Sequence, residues 1–116
     1  MIVIYGLKNC DSCRKAVKLL EAGGRPFRFH DLRADGLPRE RLGCWLATAG
    51  WEVLLNRRST TWRDLPEAEK AGLDAARAAR LLECHPTLVK RPVVEAGDRL
   101  VVGFGPDEQA ALKALV

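Results

Sequence analysis

No apolar run in these 116 residues approaches the roughly 18 residues that a membrane-spanning helix requires, so no membrane partner is expected. The basic segment, apolar segment and small-residue cleavage site of a secretory signal are missing too. Met1 leads directly into the strand-like Ile2-Val3-Ile4-Tyr5, and a cytoplasmic location is the resulting expectation. Aromatics make up only 6% of the chain and do not interleave with a basic block, so direct nucleic-acid binding is not expected. The net charge of +4 suits an anionic small molecule or an acidic protein equally well. Histidine is scarce, with two residues, and the remaining candidate ligands His30, Cys44, Cys84 and His85 form no second closely spaced pair beside Cys10 and Cys13. No metal is therefore expected.

What the chain does have is Tyr5-Gly6-Leu7-Lys8-Asn9-Cys10-Asp11-Ser12-Cys13-Arg14, which reads as strand, loop and helix. A cysteine at the last non-helical position before a helix places its sulfur near unpaired backbone N–H groups and the positive end of the helix dipole. Both favour thiolate, and Cys10 is the candidate nucleophile, with a lowered pKa. Asp11 beside it opposes the thiolate. Lys8 and Arg14 add positive charge nearby. Cys13 follows about one turn later, close enough for a disulfide with Cys10. It also falls on the stripe Cys13, Ala16, Val17 and Leu20 that should face a core. Two readings of Cys13 therefore stand, as a resolving thiol and as packing. In a reducing compartment, a C-x-x-C beside a strand–helix pattern signals redox chemistry more than a structural disulfide.

The length fits one domain, residues 1–116. Gly23-Gly24 and Pro26 close the first helix, and Phe27-Arg28-Phe29-His30-Asp31 alternates as a second strand, giving a βαβ opening with parallel strands. A helical insertion is expected over about residues 36–86. Within it Leu42, Trp45, Leu46 and Ala49 recur at helical spacing after Pro38, with Cys44 as packing, and Gly50–Asn56 forms a capped helix end and a second short helix or turn. The run Arg57–Arg63 is expected as an ordered loop or short turn. Pro66–Ala71 and Asp74–Leu82 are expected as helices, the latter capped by Asp74 with Ala75, Ala78, Ala79 and Leu82 on one face. Pro92–Glu95 and Arg99–Val102 form a hairpin around Gly97, and Gly105-Pro106 opens a last helix burying Ala111, Leu112 and Leu115. The order is β-α-β, helices, β-β-α.

That order, with a nucleophile at the first helix N-terminus, resembles the thioredoxin-like fold: an α/β fold with a mixed four-stranded sheet, here carrying a helical insertion. The segments Leu7-Lys8-Asn9-Cys10, Phe29-His30-Asp31, Gly50-Trp51-Glu52, Leu54-Leu55-Asn56, Thr60-Thr61-Trp62-Arg63, Lys90-Arg91-Pro92 and Val102-Gly103-Phe104 resemble the arsenate-reductase-like (ArsC/Spx) family. The nearest resemblance is to its YffB branch, proposed to contain glutathione-dependent thiol reductases.

The resemblance implies a thiol–disulfide oxidoreductase with Cys10 as nucleophile and Cys13 or glutathione resolving the intermediate. Glutathione is then a co-substrate rather than a bound cofactor, and glutaredoxin a partner. Arg91 matches an oxyanion arginine and, with Arg58, is expected to hold glutathione carboxylates. Lys8, Arg14, Arg58 and Pro92 complete the expected substrate-binding set, with Pro92 following a cis peptide bond. Two rival functions come with the same resemblance. In arsenate reductases linked to glutathione and glutaredoxin, three arginines surround the oxyanion; here Asn56 and Gly103 stand where two would be expected, which argues against efficient arsenate reduction. Spx regulators share the C-x-x-C and bind RNA polymerase, and Gly50 matches a glycine linked to that contact, although helix termination explains it equally well.

Overall fold

The computed structural model describes residues 1–116. By internal packing the chain divides into two units, Met1–Asp35 with Arg91–Val116, and Gly36–Lys90.

The first unit carries the sheet. Strand β1 (Ile2–Gly6) leads to helix α1 (Asp11–Gly23) and strand β2 (Phe27–Asp31); β3 (Val93–Ala96) and β4 (Arg99–Val102) lead to the C-terminal helix α7 (Pro106–Leu115). The sheet order is β2-β1-β3-β4, with β1 and β2 parallel and the other pairings antiparallel. This is the mixed four-stranded sheet of a thioredoxin-like α/β fold. Register places Ile4 opposite both Phe29 and Val94, so one sheet face gathers Ile2, Ile4, Val94 and Val101 against Ala16 and Leu20 of α1 and Leu112 and Leu115 of α7. The period of two along the strands and the i, i+4 and i, i+3 spacings along α1 and α7 place these side chains on facing surfaces. The opposite sheet face is polar at Tyr5, whose hydroxyl donates to Glu95 at 3.0 Å and whose ring lies 5.0 Å from that of His30. Ala111 is exposed, not buried; Leu112 and Leu115, three apart, define the buried face of α7 alone.

Two local devices close this unit's ends. Helix α1 stops at Gly24, whose φ of 78° is left-handed. At the end of β2 the buried Asp31 carboxylate accepts from the N–H groups of Arg33 at 2.8 Å and Ala34 at 3.1 Å. The Ala34 N–H is the main cause holding the Asp31 carboxyl below its usual range; partial desolvation opposes it, and Arg33 and Lys8 add to it. A carboxyl with a depressed folded pKa contributes stability above its unfolded pKa and loses it as pH falls through the folded value. Asp31→Asn is thus expected to lower the melting temperature at neutral pH. Its deficit against wild type should shrink on acidification and vanish once both carboxyl states are protonated, as thermal melts across a pH series would show.

The second unit is helical: α2 (Arg39–Ala49), α3 (Trp51–Leu54), α4 (Thr60–Asp64), α5 (Glu67–Lys70) and α6 (Ala75–Cys84), followed by a 3₁₀ turn at Pro86–Leu88. Leu88–Lys90 are tied back to the end of α3: Leu55 bridges Val89, Asn56 N–H donates to Leu88 O, and Lys90 N–H donates to Leu54 O. Asp74 caps α6 by accepting from Arg77 N–H at 2.9 Å. Of the expected α6 face, Ala78 and Leu82 are buried, whereas Ala75 in the first turn is exposed.

Two expectations are corrected here. Residues 57–63 are more than a loop or short turn: Ser59 caps α4, its Oγ accepting from Trp62 N–H at 3.1 Å, and Thr61 and Thr87 share a 2.6 Å hydroxyl contact. Five residues are too few to show a period. Cys44 does not pack; it is exposed, because the buried stripe of α2 runs through Leu42 and Trp45, and position 44 lies about 200° around the helix from Leu42.

Candidate functional site

The loop between β1 and α1 carries Cys10. Cys10 N–H donates to Leu7 O at 3.2 Å, tightening the turn, and Cys10 O accepts from Arg14 N–H at 3.0 Å as the first helical bond. Cys10 is therefore the N-cap of α1, with extended φ and ψ of −93° and 124°. Its side chain is partly exposed.

Burial opposes ionisation of the Cys10 thiol, but the backbone N–H and side-chain S–H of Cys13 and the Arg91 guanidinium outweigh it, and its pKa is lowered. The sulfur does not meet strict cap geometry. The stabilisation is accordingly that of donors facing the sulfur, which a full thiolate would draw closer. Cys13 behaves oppositely: burial foremost, with the adjacent Cys10 adding to it, pushes its thiol up to about 12. The two cysteines thus divide into an ionisable thiol and a protonated one that donates to it.

Cys13 is 1% exposed and sits on the buried stripe of α1 with Ala16 and Leu20. Its position depends on a residue that the sequence did not single out. A Cβ at Gly6 would lie 2.4 Å from Cys13 Sγ and 3.7 Å from Phe29 Cε2. Glycine ending β1 lets the first turn of α1 close over the strand.

Arg91 arrives beside Cys10 from just before β3, and the Arg91–Pro92 peptide bond is cis. Lys8 is exposed and exerts its charge on Asp31, and Arg14 is exposed on α1. The cation that acts on the Cys10 sulfur is thus Arg91. Asp11, which the sequence sets against the thiolate, points into an exposed i, i+4 ion pair with Lys15 at 3.1 Å.

Arg58 belongs to the helical unit. There it lines a cleft of about 570 Å³ with Asn56, Arg57 and Lys90. Arg57 lies over the rings of Trp51 and Trp62, 5.7 and 5.9 Å from their centroids. Cys84 is exposed at the end of α6, in a small cleft with Arg77, Arg80 and His85.

The two departures from the three-arginine pattern have structural causes. Asn56 Oδ1 accepts from Arg58 N–H at 3.1 Å, and Asn56 O accepts from Ser59 Oγ at 2.8 Å, so this residue shapes the turn that leads to α4. Gly103 is buried, has a φ of 94°, and donates its N–H to Pro92 O at 2.8 Å. A side chain at that φ is strained by about 1–3 kcal/mol. Gly103→Arg is therefore expected to destabilise the fold by this amount in urea melts, and to leave arsenate reduction no higher than in wild type.

Comparison with known proteins places this geometry. The chain is similar to the YffB (PA3664) protein, whose structure it matches at 46% identity with a TM-score of 0.91, covering 100% of both chains. An arsenate reductase (ArsC) related protein from Brucella melitensis matches at 46% identity and a TM-score of 0.75 over 95% of this chain and 92% of that one. The global transcriptional regulator Spx of Streptococcus pneumoniae is 29% identical over 110 residues, covering 93% of this chain and 82% of the regulator. The ArsC family profile matches residues 5–112, a span that takes in the end of β1, Cys10, Arg91 and most of α7, and on that match the chain belongs to the ArsC family.

Proposed function

We propose that this chain is a glutathione-dependent thiol–disulfide reductase with Cys10 as its nucleophile. The observation that carries the reading is the asymmetry between the two thiols: Cys10, partly exposed at the N-cap of α1, is favoured as thiolate by Cys13 and Arg91, while Cys13 is buried and held protonated.

In the proposed cycle the Cys10 thiolate attacks the glutathione sulfur of a mixed disulfide. A Cys10–glutathione disulfide forms, and the departing thiolate takes a proton from solvent. The thiolate of a second glutathione then attacks the bound glutathione sulfur, releasing oxidised glutathione and returning Cys10 as thiolate. One disulfide is reduced and one formed, so the electrons balance. Arg91 stabilises the thiolate at the start and the end of each turnover, and its guanidinium suits a glutathione carboxylate in between. Burial, the largest cause of the raised Cys13 pKa, persists in the mixed disulfide and keeps that thiol protonated, which makes glutathione the better resolving group.

The test is reduction of a glutathione mixed disulfide, coupled to glutathione reductase and NADPH consumption. Turnover that requires Cys10 supports the reading; absence of turnover above the uncatalysed rate overturns it. Arg91→Met should raise the midpoint of the pH profile for Cys10 alkylation, because the nearby cation is lost. A second reading rests on the similarity to proteins named Spx and on the shared Cys10/Cys13 spacing: a redox-sensing regulator that binds RNA polymerase. Tight capture of polymerase by a chain without reductase activity would establish it instead. For arsenate, the assay with glutathione and glutaredoxin is expected to show little turnover, given the roles of Asn56 and Gly103.

A further inference from the structure

The first unit contains a groove of about 310 Å³ alongside α1, within the size range of small-molecule sites. Its apolar wall is made by Leu7, Cys13, Val17 and Phe29. Leu7 and Cys13 are buried beneath it, while Val17 and Phe29 are packed against the main core, so the walls are held in place without a ligand. Gly6 contributes by its lack of a side chain, since a Cβ there would displace Cys13 from the wall. Neither Cys10 nor Arg91 is part of this wall.

The rim is charged and unbalanced. Lys8, Arg14 and Lys18 are exposed around the apolar wall, against a single acid, Glu21. Glu21 lies about two turns along α1 from Arg14, so the field is most positive toward the helix N-terminus. An apolar floor under a cationic rim fits one chemical class.

We propose that this groove binds an amphiphilic organic anion, a medium-chain carboxylate whose tail lies against Leu7, Val17 and Phe29 and whose head group pairs with the Lys8, Arg14 and Lys18 rim. The neutral tail is selected by the wall and the charge by the rim. Because the site lies off Cys10, it binds its ligand without chemistry.

The experiment is isothermal titration of the full chain with octanoate, decanoate and octanol, with ¹⁵N chemical shifts to locate the contact. Decanoate should bind about fifteenfold tighter than octanoate, the effect of about fourfold for each of two further buried methylenes. Octanol should bind severalfold more weakly than octanoate, and shift changes should centre on residues 7, 13–21 and 29. Val17→Glu, which puts a carboxylate in the apolar wall, should weaken decanoate at least tenfold. Lys18→Glu, at an exposed position that leaves the fold intact, should weaken it severalfold, while Cys10→Ser binds as wild type. The proposal is overturned if decanoate produces no saturable heat, if Lys18→Glu binds as tightly as wild type, or if octanol matches octanoate.

Discussion

Cys10→Ser is expected to abolish glutathione-dependent disulfide reduction, a loss on the order of 10³-fold or more, as for removal of the nucleophile in covalent catalysis generally. The same substitution should remove the fast phase of iodoacetamide labelling, located by mass spectrometry. Cys13→Ala separates two roles that C-x-x-C spacing alone leaves joined. If Cys13 resolves the mixed disulfide, the alanine variant stalls as a Cys10–glutathione adduct. The burial and raised pKa of Cys13 point to the other outcome, turnover of the same order as wild type. Loss of the Cys13 side-chain donor should nevertheless raise the Cys10 pKa, moving the alkylation profile to higher pH, because Cys13 is among the groups that favour the thiolate. Accumulation of the adduct in Cys13→Ala would assign resolution to Cys13.

Gly6→Ala is expected to destabilise the fold by about 1–3 kcal/mol, the range for overpacking a filled interior. The added methyl would stand 2.4 Å from Cys13 Sγ, far inside contact distance, and a tight 3.2 Å from its Cβ. Cys13 is buried on a helix whose stripe also includes Ala16 and Leu20, so it has little room to retreat. Removing the sulfur should relieve the clash. The double variant Gly6→Ala/Cys13→Ala is accordingly expected to be more stable than the sum of the two single changes predicts, a coupling that a double-mutant cycle of urea melts measures. Additive single effects would mean that the helix moves as a body instead.

The regular elements were legible where hydrophobic period and punctuation agreed. Phe27–Asp31 alternates and is a strand to the residue; Asp74 caps α6 as its side chain suggests; the β3–β4 hairpin turns at Gly97. Reading failed where elements are too short for a period, as in α4, or where residue type was weighed above position, as with Cys44. The stripe Leu42, Trp45, Leu46 and Ala49 already excluded position 44 from the buried face, and the general tendency of free cysteine to be buried obscured it. Asn56 and Gly103 were visible as departures from a family pattern, but their turn-forming hydrogen bonds and left-handed backbone were not.

The placement of Cys10 followed from sequence alone because it is local. A strand, a tight loop and a helix in direct succession leave that residue at the cap, whatever the rest of the chain does. The identity of the cation that acts on its sulfur was not local. Lys8 and Arg14 are nearer along the chain, yet Arg91 reaches Cys10 because β3 pairs with β1 and sets the residues just before it beside the start of α1. The fate of Cys13 was decided in the same way, by the closure of α1 over Gly6, which buries the second thiol and holds it protonated. Local spacing determined where the thiols stand; strand pairing and helix packing determined which one ionises, since burial and nearby charge act through space and not along the chain.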